Sequence, residues 1–153
     1  MYQKLMILTL IFLNIVFAQT IPKKTEFEKN WSNPKKFPDH ILLNYSDDPA
    51  TTVSVTWRTN REINKGFGEI AQAKANPKFV LNSERFLAKT SNLRYSNVVN
   101  HYLNSKKSFN SLNHNYHSVT FTDLEPNTTY AYRVGDGKHW SEWIQFTTAY
   151  KTN

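Results

Sequence analysis

The sequence of 153 residues contains no cysteine and only four glycines. Without cysteine the chain can form neither disulfide bonds nor thiolate metal sites, and it has no cysteine to carry a lipid anchor. So few glycines also argue against a glycine-rich loop that cradles a phosphate group. The stability of the fold must therefore come from packing, for which 14% of the residues are aromatic and four are tryptophan.

Arrangements typical of catalysis are missing as well. No serine stands in a Gly-x-Ser-x-Gly sequence, the turn that exposes the nucleophile of many hydrolases. The single His-x-x-His pair is His114 and His117, and residues three apart on a strand point to opposite faces, which suits zinc poorly. No carboxylate lies close in sequence to complete such a site, so we expect two surface histidines. The sequence predicts no catalytic residue, no metal ligand and no cofactor in this chain.

The N-terminus has the features of an export signal. Lys4 supplies a positive charge, and Leu5–Phe17 is a short apolar run. Val16 and Ala18 occupy the two positions at which signal peptidase recognises small residues. We expect residues 1–18 to be a signal peptide that is cut between Ala18 and Gln19, and the chain to be secreted, either periplasmic or extracellular. The apolar run is shorter than the ~20 residues of a membrane span, which favours cleavage over an uncleaved anchor, so no stable membrane anchor is expected.

The chain is basic, with a formal net charge of +7. Its lysine pairs at 23–24, 35–36 and 106–107 fall in polar stretches and form no continuous basic face. This distribution favours solvated surface charge over a patch for nucleic acid, and we expect no nucleic-acid partner. Residues 19–37 are polar, contain proline and lack any period, which predicts an arm or linker.

Alternating residues predict a series of β-strands. The pattern is clear at Thr52–Thr59, where Val53, Val55 and Trp57 share one face and Trp57 should anchor the core. Other strands are expected near residues 41–45, 66–73, 116–122, 129–134 and 140–148, with a bulge at Gly68.

The last predicted strand and the middle of the chain are less regular. In the last strand we expect Trp140, Glu142, Ile144 and Phe146 on one face and Trp143 on the other. We expect residues 74–114 to form a long irregular excursion between strands. Within it the sequence predicts short edge strands at Phe79–Leu81 and Phe86–Leu87, and a strand or a helix at Leu93–Leu103.

The stretch Leu124–Val134 is the most informative part of the chain. A turn containing Pro126 leads into a strand in which Tyr130, Tyr132 and Val134 share one face. Such a tyrosine can bury its ring between two sheets and bond its hydroxyl to nearby backbone, as in the tyrosine corner of sandwich domains. The stretch resembles the Leu-x-Pro-x-Thr-x-Tyr pattern of fibronectin type III-like domains. The fold we expect is therefore all-β, an immunoglobulin or fibronectin type III-like β-sandwich of about seven strands.

Several stretches in order resemble the N-terminal domain of purple acid phosphatases, a family of secreted metallophosphoesterases. The resemblance covers residues 38–149 and is carried by Pro38–Leu43, Val53–Thr59, His117–Pro126, Thr129–Asp136 and Trp140–Thr148. A Tyr-x-Val-Gly-Asp ending followed by Trp-Ser and Phe-x-Thr separates this family from generic fibronectin domains. The residues that form its structural signature here are Trp57, Leu124, Pro126, Tyr130, Tyr132, Val134, Gly135 and Phe146.

The resemblance implies a sandwich that is not itself catalytic. In that family the sandwich packs beside an α/β domain that hydrolyses phosphomonoesters at a dinuclear centre of iron with iron, zinc or manganese. The ligand blocks of that centre are incomplete here: Gly135–His139 begins like Gly-Asp-x-x-Tyr but has His139 in place of the tyrosine, and Asn113-His114 has no preceding glycine. We therefore expect no enzymatic activity from this chain alone, and residues 150–153 should begin a linker to the missing catalytic domain.

These observations leave two functions open. The first is a truncated or split gene product that docks or supports a metallophosphoesterase catalytic domain, with homodimer contacts as a further role and Trp140 and Trp143 as docking aromatics. The alternative is a stand-alone secreted fibronectin III-like module for adhesion or carbohydrate binding.

Overall fold

The computed structural model describes residues 25–27, 33–92 and 114–151. The chain divides into two units, residues 1–33 and 34–153, and the strands described below lie in the second. The expected cleavage site at Ala18 and Gln19 lies outside the described residues. The strand or helix expected at Leu93–Leu103 also lies outside them.

The described residues of the second unit form eight strands and one short 3-10 helix. The strands are β1 (Asp39–Tyr45), β2 (Val53–Asn60), β3 (Phe67–Gln72), β4 (Glu84–Leu87), β5 (Lys89–Ser91), β6 (His114–Phe121), β7 (Thr129–Gly135) and β8 (Ile144–Thr147). The first antiparallel sheet has the strand order β1-β2-β6-β5, and the second has the order β4-β3-β7-β8. The all-β sandwich is therefore confirmed, with one strand more than the seven expected because the middle of the chain supplies two short ones.

The core lies between the two sheets and follows the alternation of the sequence. In β2, Val53, Val55 and Trp57 are at most 1% exposed, whereas Ser54 and Thr56 on the other face are partly exposed. Burying each such apolar side chain stabilises the fold by roughly 1.5–3 kcal/mol. The other buried members of this cluster are Ile70, Ala88, Val119, Phe121, Leu124, Tyr132 and Val134.

The middle of the chain departs from the expected edge strands. Phe79–Leu81 was predicted as a strand, but it lies in the 3-10 helix Pro77–Asn82. This short helix begins there because the side chain of Asn76 accepts a hydrogen bond from the Lys78 N–H, 2.9 Å away, and proline fixes φ at the first helical position. The expected strand at Phe86–Leu87 does form, as part of β4.

The chain passes from one sheet to the other at Ala88. Its N–H donates to the carbonyl of Gly66, 2.9 Å away, and its side chain is buried in the core. Strand β4 before it pairs with β3, and strand β5 after it pairs with β6. The chain thus crosses from the second sheet to the first within a single residue.

The bulge expected at Gly68 is absent from β3. Gly68 pairs in regular register with Phe86 and Val134, and the glycine is needed because a Cβ there would lie 2.8 Å from side-chain atoms of both Phe121 and Val119. The irregular register is in β1, between Asp39 and Leu42.

The last strand is shorter than expected, and its facing is different. Strand β8 begins only at Ile144. The Val134 N–H donates to the hydroxyl of Ser141 at 3.0 Å, and the Ser141 N–H donates to the Val134 carbonyl at 2.9 Å. These bonds interrupt the alternation, so Ile144 and Phe146 pack against the core while Trp140 lies on the outer face. The prediction that Trp140, Glu142, Ile144 and Phe146 share one face was therefore wrong.

Candidate functional site

The two histidines of the His-x-x-His pair are buried. His114 is 5% exposed and His117 is 1% exposed, so the expectation of surface histidines was wrong. Both lie on β6. Their alternation along the strand places His117 in the core beside Trp57 and His114 on the opposite face.

Both ring nitrogens of His117 are already used. Nε2 shares a hydrogen bond of 2.8 Å with the Thr59 hydroxyl, and Nδ1 shares one of 2.9 Å with the Thr90 hydroxyl. The ring also stacks on Trp57, with ring centroids 5.2 Å apart. Burial lowers the pKa of His117 to about 4, so the imidazole is neutral near pH 7. Coordination of a metal would require breaking one of these two bonds.

His114 makes fewer polar contacts. Its Nε2 is buried and has no hydrogen-bond partner among the described residues, and its ring meets that of Tyr116 edge-on at 4.9 Å. Burial lowers the pKa of His114, and the positive charge of Arg58 lowers it further. Within residues 25–27, 33–92 and 114–151, no three His, Asp or Glu side chains gather closely enough to hold a metal ion.

The segment that resembles a metal-ligand block is a closed loop. The carboxylate of Asp136 accepts hydrogen bonds from the N–H groups of Lys138 at 2.8 Å and His139 at 2.6 Å, and it lies 2.9 Å from the Nδ1 atom of His139. Burial acts to raise the pKa of Asp136, but the hydrogen bonds from His139 and Lys138 outweigh it and lower that pKa. The carboxylate of Asp136 therefore stabilises the backbone of its own loop.

The signature residues lie at structural positions. Trp57, Leu124, Tyr132 and Val134 belong to the buried core, and Tyr130 and Phe146 pack against it. The Tyr130 hydroxyl accepts a hydrogen bond of 2.9 Å from the Glu125 N–H, across the turn that contains Pro126. Position 135 requires glycine because a Cβ there would overlap the carbonyl oxygen of His139.

A cluster of charged side chains lies on the outer face of the second sheet. Glu69, on β3, is only 4% exposed, and its register partners are Arg85 on β4 and Arg133 on β7. Arg85 donates from Nε and Nη2 to Oε1 at 2.9 and 2.6 Å, and Arg133 donates from Nε to Oε2 at 2.6 Å. One buried carboxylate therefore holds two guanidinium groups, one on each side.

Aromatic rings fix the same two guanidinium groups. That of Arg133 lies 4.5 Å from the ring centroid of Trp140 and 4.9 Å from that of Trp143, and that of Arg85 lies 5.3 Å from Trp140. The tryptophans expected to dock a partner are half-buried and stack on arginine. We name this surface the guanidinium face and define it as Phe67, Arg85, Leu87, Arg133, Trp140 and Trp143.

Sequence reasoning did not identify Glu69, Arg85 or Arg133. The available signal was a charged residue inside each of three short strand-like segments, two basic and one acidic. Opposite charges on neighbouring strands stabilise a sheet when they face each other. Only the register shows that these three do.

The chain belongs to a known family. The family model for the purple acid phosphatase N-terminal domain matches residues 38–148, which is most of the chain. The domain is thus a β-sandwich of the immunoglobulin or fibronectin type III-like class, and within that class it is an N-terminal domain of the purple acid phosphatase family. No curated protein sequence matches the chain significantly.

Among solved structures, the chain is similar to purple acid phosphatase PPD1 from yellow lupin (Lupinus luteus) seeds. The TM-score is 0.54 and the sequence identity is 18%, over 76% of this chain and 20% of the lupin chain. The chain therefore spans about a fifth of that enzyme's length.

Two further structures have lower scores. The chicken CNTN1 FN1–FN3 domains have a TM-score of 0.45 and 15% identity, over 76% of this chain and 31% of that one. A computationally redesigned β-sandwich protein has a TM-score of 0.41 and 22% identity, over 75% of this chain and 96% of that one. As to membranes, the described residues include no helix with the length and apolar character that a crossing requires.

Proposed function

We propose that the chain is a non-catalytic accessory domain that docks onto a purple acid phosphatase catalytic domain and supports it. The observation that carries the proposal is the family match over residues 38–148. The similarity to about a fifth of the lupin enzyme agrees with it, because a domain of this size would leave the rest of such an enzyme for the metal centre. The dinuclear metal centre is assigned to that other domain.

The polar side chains of the sandwich support a non-catalytic role. His117 is bonded through both ring nitrogens, and Asp136 is bonded to its own loop. Hydrolysis at a metal centre needs several carboxylate and imidazole donors around one ion, together with an open position for water. His117 and Asp136 already use their donor atoms in bonds that hold the fold together.

The arrangement of the tryptophans favours docking over the alternative of a carbohydrate-binding module. Sugars stack on exposed aromatic faces, and the best placed rings would be those of Trp140 and Trp143. Both rings stack on the guanidinium group of Arg133. A surface of arginine and aromatic side chains is typical of protein interfaces.

Export is part of the proposal, and it is supported by the charged start and the short apolar run of residues 1–18. Mass spectrometry of the chain exported by its source organism should find Gln19 as the first residue. An exported product that retains residues 1–18 would overturn this part of the proposal.

Docking is tested by titrating the full chain into the part of the lupin enzyme outside the matched fifth, produced without its own N-terminal domain. Calorimetry should show a saturable one-to-one complex. At a chain concentration of about 100 times Kd, the free energy of unfolding of the catalytic part should rise by ~2.7 kcal/mol. No heat of binding and no stabilisation would overturn the proposal, and self-association of the chain without such binding would favour a homodimer instead.

A further inference from the structure

We infer that the guanidinium face is the surface through which this domain contacts its protein partner, and that it binds carboxylate groups there. The inference rests on the proposed docking function and names the surface and the chemistry of the contact. The occupant is an acidic surface of the catalytic domain.

The guanidinium face is positively charged. Among the described residues, Glu69 is the carboxylate that pairs with both Arg85 and Arg133, so two guanidinium charges share one negative charge. Lys65 adds another positive charge beside them, with its Nζ atom 5.4 Å from the ring centroid of Phe67. The face thus carries an excess of positive charge, which complementary carboxylates of a partner would neutralise.

The hydrogen-bond donors of Arg85 are held in a fixed position. The Nε and Nη2 atoms of Arg85 both donate to Glu69, and its guanidinium group also lies 5.3 Å from the Trp140 ring. The N–H groups of its remaining nitrogen are not used by those bonds, and the side chain is still 51% exposed. Because the guanidinium group is already held in place, binding a carboxylate would cost little side-chain conformational entropy.

An exposed apolar side chain lies next to the charged groups. Leu87 is 64% exposed and lies two residues after Arg85 on the same face of β4. Its register partner is Phe67, whose ring also lies 5.6 Å from the guanidinium group of Arg85. A fixed arginine beside aromatic rings has the composition of an interface centre, and the exposed leucine adds apolar area that a partner would remove from water.

The outer face of the first sheet offers a contrast. There Ser54 and Thr120 bond to each other through their hydroxyl groups at 2.9 Å. The arginine of that face, Arg58, is 7% exposed and donates two hydrogen bonds to Asp39, at 2.7 and 2.8 Å. Lys89, an exposed cation on β5 of that sheet, is therefore a suitable control residue.

The test compares three variants of the full chain in the titration with the catalytic part of the lupin enzyme. Arg85→Gln and Leu87→Ser should each weaken binding about tenfold, as loss of an interface hot spot does. Arg85→Gln should also reduce the dependence of binding on salt, whereas Lys89→Gln should change neither property. Leu87 is exposed, so its variant keeps the test valid if the Arg85 variant folds poorly.

The outcomes separate this inference from the proposed function. Binding by the unmodified chain that is unaffected by Arg85→Gln and Leu87→Ser would overturn the inference and leave the docking function standing. Absence of binding by the unmodified chain would overturn both. Arg85-dependent binding of heparin without binding of the protein would overturn the inference in favour of an anionic glycan as the ligand.

Discussion

The imidazole of His117 stacks on the indole of Trp57, with ring centroids 5.2 Å apart and an angle of 24° between the ring planes. The pair lies in the core beside Gly66, where a Cβ would stand 2.7 Å from the Nδ1 atom of the imidazole and 2.8 Å from the indole. The imidazole, the indole and the glycine backbone therefore pack together with no space left over. Titration of His117 is for this reason coupled to the stability of the whole sandwich.

The stability of the domain should fall as pH falls from about 6.5 to about 4. Burial lowers the pKa of His117 from 6.5 to about 4, so in this range the unfolded chain takes up a proton that the folded chain does not. The free energy of unfolding should decrease by about 3 kcal/mol across this range. Below about pH 4, His117 should add no further dependence on pH, because it is then protonated in both states. Urea melts at a series of pH values measure this.

The control for the pH prediction is His117→Asn, which should melt with a shallower dependence on pH between 6.5 and 4. His114→Asn should reduce the slope as well, because the pKa of His114 is also lowered. Burial acts to raise the pKa of Asp39, but the hydrogen bonds from Arg58 and His40 lower it below its usual 3.8. Stability from Asp39 is therefore lost only at lower pH. An equal dependence of stability on pH in the unmodified chain, His117→Asn and His114→Asn would contradict the role of the two histidines in acid destabilisation.

Trp57→Ala should lower the free energy of unfolding by roughly 3–5 kcal/mol, as for other large-to-small changes in a core. The indole is 1% exposed, and its removal would leave a cavity between the two sheets. Leu81→Ala, at a side chain that is 79% exposed, is the control and should stay within about 0.5 kcal/mol of the unmodified chain. Denaturant melts in which the two variants are equal would refute this assignment of the core.

Glu69→Gln should lower the free energy of unfolding by ~3 kcal/mol, the lower end of the range for removing one partner of a buried ion pair. The lower end applies because the Arg85 side chain is half exposed, and solvent weakens that half of the cluster. Glu84→Gln, at an exposed glutamate of β4, should change stability by no more than about 0.5 kcal/mol. Thermal melts with equal losses in both variants would contradict a special role for Glu69.

Tyr130→Phe should lower the free energy of unfolding by about 1 kcal/mol, because it removes the acceptor of the Glu125 N–H while the ring stays packed. The bond is near the surface, so water can satisfy the amide in part. Tyr150→Phe, at a ring that is 74% exposed, should have no measurable effect. A loss in Tyr130→Phe no larger than in Tyr150→Phe would show that the hydroxyl contributes nothing.

Some of this architecture could be predicted from the sequence because its causes are local. Alternation within β2 is enough to place Val53, Val55 and Trp57 on one buried face. A tyrosine that follows a proline-containing turn is likewise a local feature, and the bond from Glu125 to Tyr130 spans only five residues. The helix at Pro77 was also local, since Asn76 and Pro77 form a standard start signal, but the prediction overlooked it.

Other features depend on which strands become neighbours, and short-range patterns do not contain that information. His117 is buried because its face of β6 packs beside Trp57 of the neighbouring strand β2. Glu69 meets Arg133 across 64 residues of sequence. The outward position of Trp140 depends on the bonds between Ser141 and Val134. The guanidinium face could therefore be identified only from the pairing of the strands.

Phosphate-ester hydrolysis by the pure full chain is the most direct test of a non-catalytic role. We predict that p-nitrophenyl phosphate with added iron, zinc or manganese is hydrolysed by the chain no faster than in buffer containing the same metal. Metal-dependent turnover that rises with chain concentration and is lost in Asp136→Asn or His114→Asn would contradict the claim that this domain is non-catalytic.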